Sequence, residues 1–301
     1  MSLPPRIAIT EVCPRDGWQN FQTIISTADK IAYIEKMIES GVKSIEITSY
    51  VHPKYVPQMA DADQVTTALL EYAKGRGVAL SALTLNKKGV VRARALGMTN
   101  LGFVISASME HNRRNANKTT EEAISDFEGM AKNCGDLNIT LGIACAFGSP
   151  FGEEITTDMI FRLYDTAQKH GVKTVGLADS AGVSTPDNTR RMLQTLVPQI
   201  GRDNVVIHLH DTRGMGLANA FVAMDEGISR FETALGAMGG CPYIPGAKGN
   251  IATEDLVWMA EQMGVSTGMN LERTVELSLE MTRTLGAEIV SSQAALAAAS
   301  R

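Results

Sequence analysis

The chain has 301 residues, 44% hydrophobic and 20% charged, with a formal net charge of −5. That composition describes a globular protein with a substantial core and no basic surface for nucleic acid. Its four cysteines, Cys13, Cys134, Cys145 and Cys241, lack paired spacing and suit free thiols in a reducing compartment. The first residues carry no basic-then-apolar secretory pattern, and no apolar run reaches the ~20 residues that cross a bilayer, so a cytoplasmic location without a membrane partner is expected.

Short apolar strands alternate with amphipathic helical stretches from end to end. The spacing predicts strands at Arg6–Val12, Ser44–Ser49, Val78–Leu85, Leu101–Ser106, Ile139–Ala146, Thr174–Ala178, Asn204–His210 and Arg230–Leu235. A helical pattern follows each one. After the first strand, Ala28–Ser40 places Ile31, Ile34, Met37 and Ile38 at helical spacing, and Gly41 ends the run. Pro186 stands near a helix start, where a missing N–H costs nothing. Eight such units predict a (β/α)8 barrel rather than an open doubly wound sheet. No G-x-G-x-x-G follows the first strand, which removes the dinucleotide-binding alternative. One domain, residues 1–301, is expected. Residues 270–301 form an outer extension, with one or two helices over Asn270–Ile289 and an Ala-rich tail, Ala294–Arg301, that frays.

In such a barrel the chemistry sits where strands end. His208 and His210 lie two apart at the end of the seventh strand and so share one face. Taken alone, such a pair is more often incidental than half of a cation site. Strand 1 ends in Cys13-Pro14-Arg15-Asp16-Gly17-Trp18-Gln19-Asn20. There Asp16 is a hard ligand for Mg²⁺ or Mn²⁺, and Arg15 can hold a substrate carbonyl or carboxylate, or the two form a loop ion pair. Glu46 lies between Ile45 and Ile47 and points the other way, into an interior where it needs a cation such as Arg15 or a metal-bound water. Asp179 ends strand 6 and is either a mouth carboxylate or a turn cap. After strand 8 comes a glycine-dense stretch, Gly236–Asn250, with Cys241 near its centre, which reads as a lid carrying a thiol. Asn250 caps the last helix or turns its carbonyl oxygen to a metal. Asp16, His208, His210 and Asn250 thus make an oxygen- and nitrogen-rich set suited to an octahedral ion, with no thiolate.

Pro14–Asn20, Ile45–Val51, Val56–Asp61, His208–Gly214 and Gly239–Asp255 resemble the DRE-TIM metallolyase superfamily and, within it, the 3-hydroxy-3-methylglutaryl-CoA lyase family. The resemblance runs over essentially the whole chain. It implies a divalent metal, Mg²⁺ or Mn²⁺, on Asp16, His208, His210 and Asn250. Arg15 would stabilise the enolate oxygen of the leaving acyl-CoA, Asp16 or Asp179 would remove the hydroxyl proton through water, and Cys241 or His208 would deliver a proton to the enolate carbon. Gln19, Glu46, Ser49, Asp179 and Glu254 would surround the substrate. Arg114 and Asn115 would face the coenzyme A portion of an acyl-CoA substrate, and a homodimer would form. The implied reaction is cleavage of hydroxymethylglutaryl-CoA to acetoacetate and acetyl-CoA. A related branched thioester, citramalyl-CoA-like or longer, is the alternative, followed by a condensing synthase or an inactive CoA- or metal-binding protein. The family commonly shows Leu-Gln-Asn-Glu-Lys where this chain has Trp18-Gln19-Asn20-Phe21-Gln22, and Trp18 and Phe21 are expected to reshape the pocket. Gly148-Ser149-Pro150-Phe151 and Gly176–Ser180 depart from the family pattern as well.

Overall fold

Strand alternation decides the architecture. In the computed structural model, which describes residues 3–21, 23–240 and 248–300, Ile45, Ile47, Leu101, Phe103, Ile105, Leu141, Ile143, Val175, Leu177, Ile207 and Phe231 point from the strands into a buried layer shared with the helices. Phe103, for example, meets Phe127 edge to face at 5.4 Å. Residues in between face a common interior.

Eight parallel strands close into a barrel in sequence order: β1 Ala8–Glu11, β2 Ser44–Ser49, β3 Ala79–Leu83, β4 Asn100–Ser106, β5 Asn138–Ala144, β6 Thr174–Asp179, β7 Val205–Leu209 and β8 Arg230–Thr233. Closure comes from β1 pairing with β8 from Ala8↔Arg230 to Glu11↔Thr233. The helices are α1 Thr27–Glu39, α2 Ala62–Ala73, α3 Lys87–Ala95, α4 Met109–Ala116, α5 Thr120–Ala131, α6 Thr157–Lys169, α7 Pro186–Ile200, α8 Gly216–Asp225, α9 Thr253–Gln262, α10 Leu271–Leu285 and α11 Ser292–Ala299. Among the described residues no helix is long and apolar enough to cross a membrane.

Local chemistry fixes the helix ends. Ser26 caps α1 by accepting from the Asp29 amide, and Gly41, at φ +107°, turns the chain so tightly that a Cβ would lie 2.8 Å from the Gly268 carbonyl. Asn270 caps α10 and Gly286 ends it in the left-handed region. The tail differs from the fraying expected of it. The Asp255 carboxylate on α9 accepts from the Ser291 hydroxyl and from the Ser292 and Gln293 amides. A carboxylate at the helix start satisfies orphan amides and docks α11 on the barrel.

Candidate active site

The turn after β1 is built for close approach. The Val12 carbonyl accepts from the Arg15 and Asp16 amides at 3.1 and 2.7 Å. A Cβ on Gly17 would sit 3.0 Å from Cys13 Sγ and 3.1 Å from Met238 Cβ, so only glycine lets this turn press against the chain leaving β8. Beneath it lies Glu11, wholly buried, which accepts from the Cys13 amide, the Leu235 amide and the Thr253 hydroxyl at 2.8, 3.0 and 2.6 Å. One carboxylate thus ties the ends of β1 and β8 to the start of α9. Burial raises it to about 7 against the pull of its three donors.

Arg15 and Asp16 project over the mouth. Arg15 donates through Nε to Glu46 and through Nη1 to Asp16; its Nη2 makes no hydrogen bond among the described residues. Gln19 reaches the same Asp16 oxygen at 3.2 Å. The Asn250 amide group donates to the other Asp16 oxygen at 2.8 Å and to the Met238 carbonyl at 2.9 Å. Burial disfavours the Asp16 charge, but Arg15 and the two histidines outweigh it and hold the carboxyl well below the usual range.

His208 lies on β7 and His210 one residue beyond its end, where it pairs with Asn250 in an isolated bridge. His208 Nδ1 is 2.9 Å from the Glu232 carboxylate, and His210 Nδ1 is 3.3 Å from the Lys248 carbonyl. With each Nδ1 donating, the two Nε2 atoms face one another as lone pairs 3.1 Å apart. Burial opposes a charge on His208, yet Glu232 outweighs it and raises that ring. Burial and the neighbouring His208 push His210 down to about 4.

These groups converge. Ligand atoms of Asp16, His208 and His210 all lie within 4.8 Å of one another. Asn250 Oδ1 is buried and has no hydrogen-bond partner among the described residues, a costly arrangement unless something else binds it. Among the described residues Arg15 is the one cation paired here against Asp16 and Glu46, and Glu232 faces His208. Fully ionised, three carboxylates and one guanidinium leave two uncompensated negative charges. Facing lone pairs, an orphaned amide oxygen and a double negative charge fit a hard divalent cation.

The other residues singled out in the sequence lie elsewhere. Asp179 is fully buried, and its two oxygens accept from the Val183 and Ser184 amides at 3.0 and 2.9 Å. It caps the turn after β6, and burial raises its pKa against the pull of those amides. Glu254 is also wholly buried, accepting from the Gly236 amide and, at 2.5 Å, from Ser278, so it braces the chain leaving β8 rather than lining the substrate. Ser49 is buried at the end of β2 and accepts from the Val51 amide. Arg114 and Asn115 are exposed on α4, Arg114 pairing with Glu110 and lying over the Phe151 ring. Cys241 lies outside the described residues. Trp18 corrects an expectation: it has no exposure and packs toward Tyr33 of α1 at 6.4 Å, so the indole fills the core and does not shape the pocket. Phe21 is partly buried against the same core.

Sequence reasoning missed Glu11 and Glu232. The signal was present, since each is a carboxylate within an apolar strand, the same pattern that singles out Glu46.

The profile of the HMGL-like family matches residues 6–280. The chain is 34% identical, over 97% of both chains, to the hydroxymethylglutaryl-CoA lyase of Bacillus subtilis. It is 37% identical to the (R)-citramalyl-CoA lyase of Chloroflexus aurantiacus, over 93% of this chain and 91% of that one. The structure of an HMG-CoA lyase from Acinetobacter baumannii with coenzyme A and 3-methylmalate superposes with a TM-score of 0.92 at 33% identity, covering 98% and 96% of the two chains.

Proposed function

The chain belongs to the HMGL-like family, and from that premise we propose that it is a divalent-metal-dependent carbon–carbon lyase. It cleaves a branched 3-hydroxyacyl-CoA of the hydroxymethylglutaryl-CoA class into a 3-keto acid and acetyl-CoA. The observation that carries this reading is the orphaned Asn250 Oδ1 beside the converging Asp16, His208 and His210.

Asp16, His208, His210 and Asn250 would hold Mg²⁺ or Mn²⁺. Such an ion supplies Lewis acidity, which lowers the pKa of an alcohol bound to it. The protein's own groups do the rest. Glu46 and Asp16 fix the Arg15 guanidinium from two sides and leave Nη2 to donate to the thioester oxygen as the C2–C3 bond breaks and charge gathers there, a contribution of about 3 kcal/mol per donor in comparable sites. Glu46 faces the same space; burial, then repulsion from Glu232 and Asp16, outweigh Arg15 and raise its pKa, the direction that suits a group exchanging a proton there. Asp16 is too acidic for that task. Delivery of a proton to the enolate carbon is assigned to Cys241 on the strength of the family resemblance.

The test is acetyl-CoA release from hydroxymethylglutaryl-CoA by protein stripped of metal and then supplied with Mg²⁺ or Mn²⁺. Metal-dependent release is expected, together with loss of bound Mn²⁺ and of turnover in Asp16→Asn and His208→Ala. Unchanged metal content and turnover in both variants would refute the assigned site.

A further inference from the structure

The interior of this barrel is lopsided. Charges occupy the β1, β2, β7 and β8 side, while β4, β5 and β6 present their smallest residues inward. Outward-facing Leu101, Phe103, Leu141, Ile143, Val175 and Leu177 fix the alternation, so Gly102, Gly142 and Gly176 face the interior. Register places Gly142 between Val104 and Gly176, and Gly176 beside Val206, in one layer. The layer above carries Ala144, Ala178 and His208. Barrel interiors are ordinarily filled by bulky branched side chains.

Backbone geometry does not require these glycines. Gly102, Gly142 and Gly176 all lack positive φ, and glycine inside a strand is destabilising. What they provide is room beside their neighbours: the space is open at Gly176, while at Gly142 a Cβ would already lie 3.1 Å from Val104 Cγ2. A Cβ built on Gly176 would meet only the Gly142 Cα, at 3.6 Å, and one on Gly102 would come 3.2 Å from Glu46 Oε1. Gly102, Val104, Thr140, Gly142 and Ala178 stay partly solvent-accessible although they sit within strands. The hollow therefore begins at the Arg15–Glu46 pair. Arg15 in turn pairs with Asp16, which Asn250 contacts, and among the described residues the buried Asn250 Oδ1 has no partner.

We propose that this hollow receives the substituent on C3 of the substrate, and that the preferred thioesters carry there a neutral alkyl chain longer than methyl. The proposal rests on the lyase reading above and narrows it. Gly142, Gly176, Val104 and Val206 offer nothing to pair with a charge, so the chain is apolar. One layer, two residues along a strand, is about 6.6 Å deep, which admits roughly four carbons. In the reaction the C3 hydroxyl loses its proton and becomes a ketone as the C2–C3 bond breaks. The electron pair passes to the acetyl-CoA fragment, which takes up one proton, and the alkyl chain leaves on the 3-keto acid.

The experiment compares kcat/KM for 3-hydroxy-3-alkylglutaryl-CoA thioesters with methyl, propyl and butyl at C3, with Mn²⁺ present. The wild-type protein is expected to favour the longer chains by about tenfold or more, and Gly176→Val to lower that ratio by about tenfold. Gly176→Ala, whose added methyl has room, lowers it less and keeps the test intact if the valine variant fails to fold. Cleavage of the methyl compound with rejection of the longer ones overturns the proposal and leaves the lyase reading standing. So does an unchanged ratio in both glycine variants. Loss of Mn²⁺ affinity along with selectivity overturns it too, since the substitution would then act through the ligands. Failure to cleave any member overturns the lyase reading itself.

Discussion

Removing the charge of Glu232 tests whether His208 is oriented for a metal. The carboxylate stands directly across the β7–β8 register from His208 and 2.9 Å from its Nδ1, the arrangement that fixes a tautomer with Nε2 free for an ion. Glu232→Gln keeps an acceptor at that place and removes the charge; Glu232→Ala removes both. Loss of such a partner weakens metal binding by about 10- to 100-fold, or about 1.4–2.7 kcal/mol. The alanine variant should fall at the weak end, because it also frees the ring. Removing Glu232 takes away a repulsion that raises Glu46, so the Glu46 titration moves down as well. Isothermal calorimetry of Mn²⁺ binding to the metal-free protein measures the affinity, and thermal unfolding separates it from a stability effect. A role confined to packing lowers the melting temperature and leaves Kd alone. Mn²⁺ affinities within twofold of wild type in both folded variants would refute the assigned orientation.

Glu11 gives the protein a pH dependence of opposite sign to an ordinary ion pair. Its folded pKa of about 7 exceeds the ordinary value of 4.5, so the folded state holds an extra proton between those values. Its contribution is therefore full below about pH 4.5 and declines by about 3 kcal/mol as pH rises to 7; denaturant melts of the wild type and Glu11→Gln at pH 5 and pH 7 should show a smaller decline in the variant, and parallel declines would contradict this. Asp179→Ala leaves two buried turn amides without acceptors and should cost about 1–3 kcal/mol, read by chemical denaturation; a shifted pH–rate profile with unchanged stability would instead identify it as a proton acceptor. Trp18→Phe should lower stability by about 1–3 kcal/mol while leaving the relative kcat/KM of short and long thioesters unchanged. A change in that ratio would return the indole to the pocket wall.

Much of the barrel is legible in the sequence because its strands bury one face against helices, and Val, Ile and Leu mark that face at period two. Strand ends are less sharply marked. The β3 pattern suggests Val78–Leu85, whereas pairing covers Ala79–Leu83, and His210 falls just past the end of β7. The elements that differ from expectation depend on distant partners. An Ala-rich tail has no local sign of order, and α11 forms because Asp255, far back in sequence, supplies acceptors for its first amides. Trp18 adjoins Asp16 in sequence, which suggests the mouth, but a turn sends neighbouring side chains in different directions. Glu232 becomes informative only once β8 is set beside β7, since nothing local says which strand residue it will face.

The same non-locality explains how the site tolerates its charges. Glu46, Glu232 and Asp16 come from β2, β8 and the turn after β1, and each alone would be an expensive buried carboxylate. Arg15 touches two of them and His208 meets the third, so the cost is offset only when all four segments close together. Even then, with the carboxylates ionised and both imidazoles neutral, two negative charges remain, along with an amide oxygen that no described group satisfies. A divalent cation answers both defects at once, whereas a second arginine would compensate charge and leave the Asn250 oxygen and the facing imidazole lone pairs to compete for its hydrogens. On the opposite side of the interior, Gly142, Gly176, Ala144 and Ala178 stand where barrel strands ordinarily carry branched side chains. Stability has been surrendered on both sides, to charge on one and to glycine within strands on the other. The two concessions meet at Arg15 and Glu46, where the bond to be broken must lie if the ion holds one part of the substrate and the hollow another.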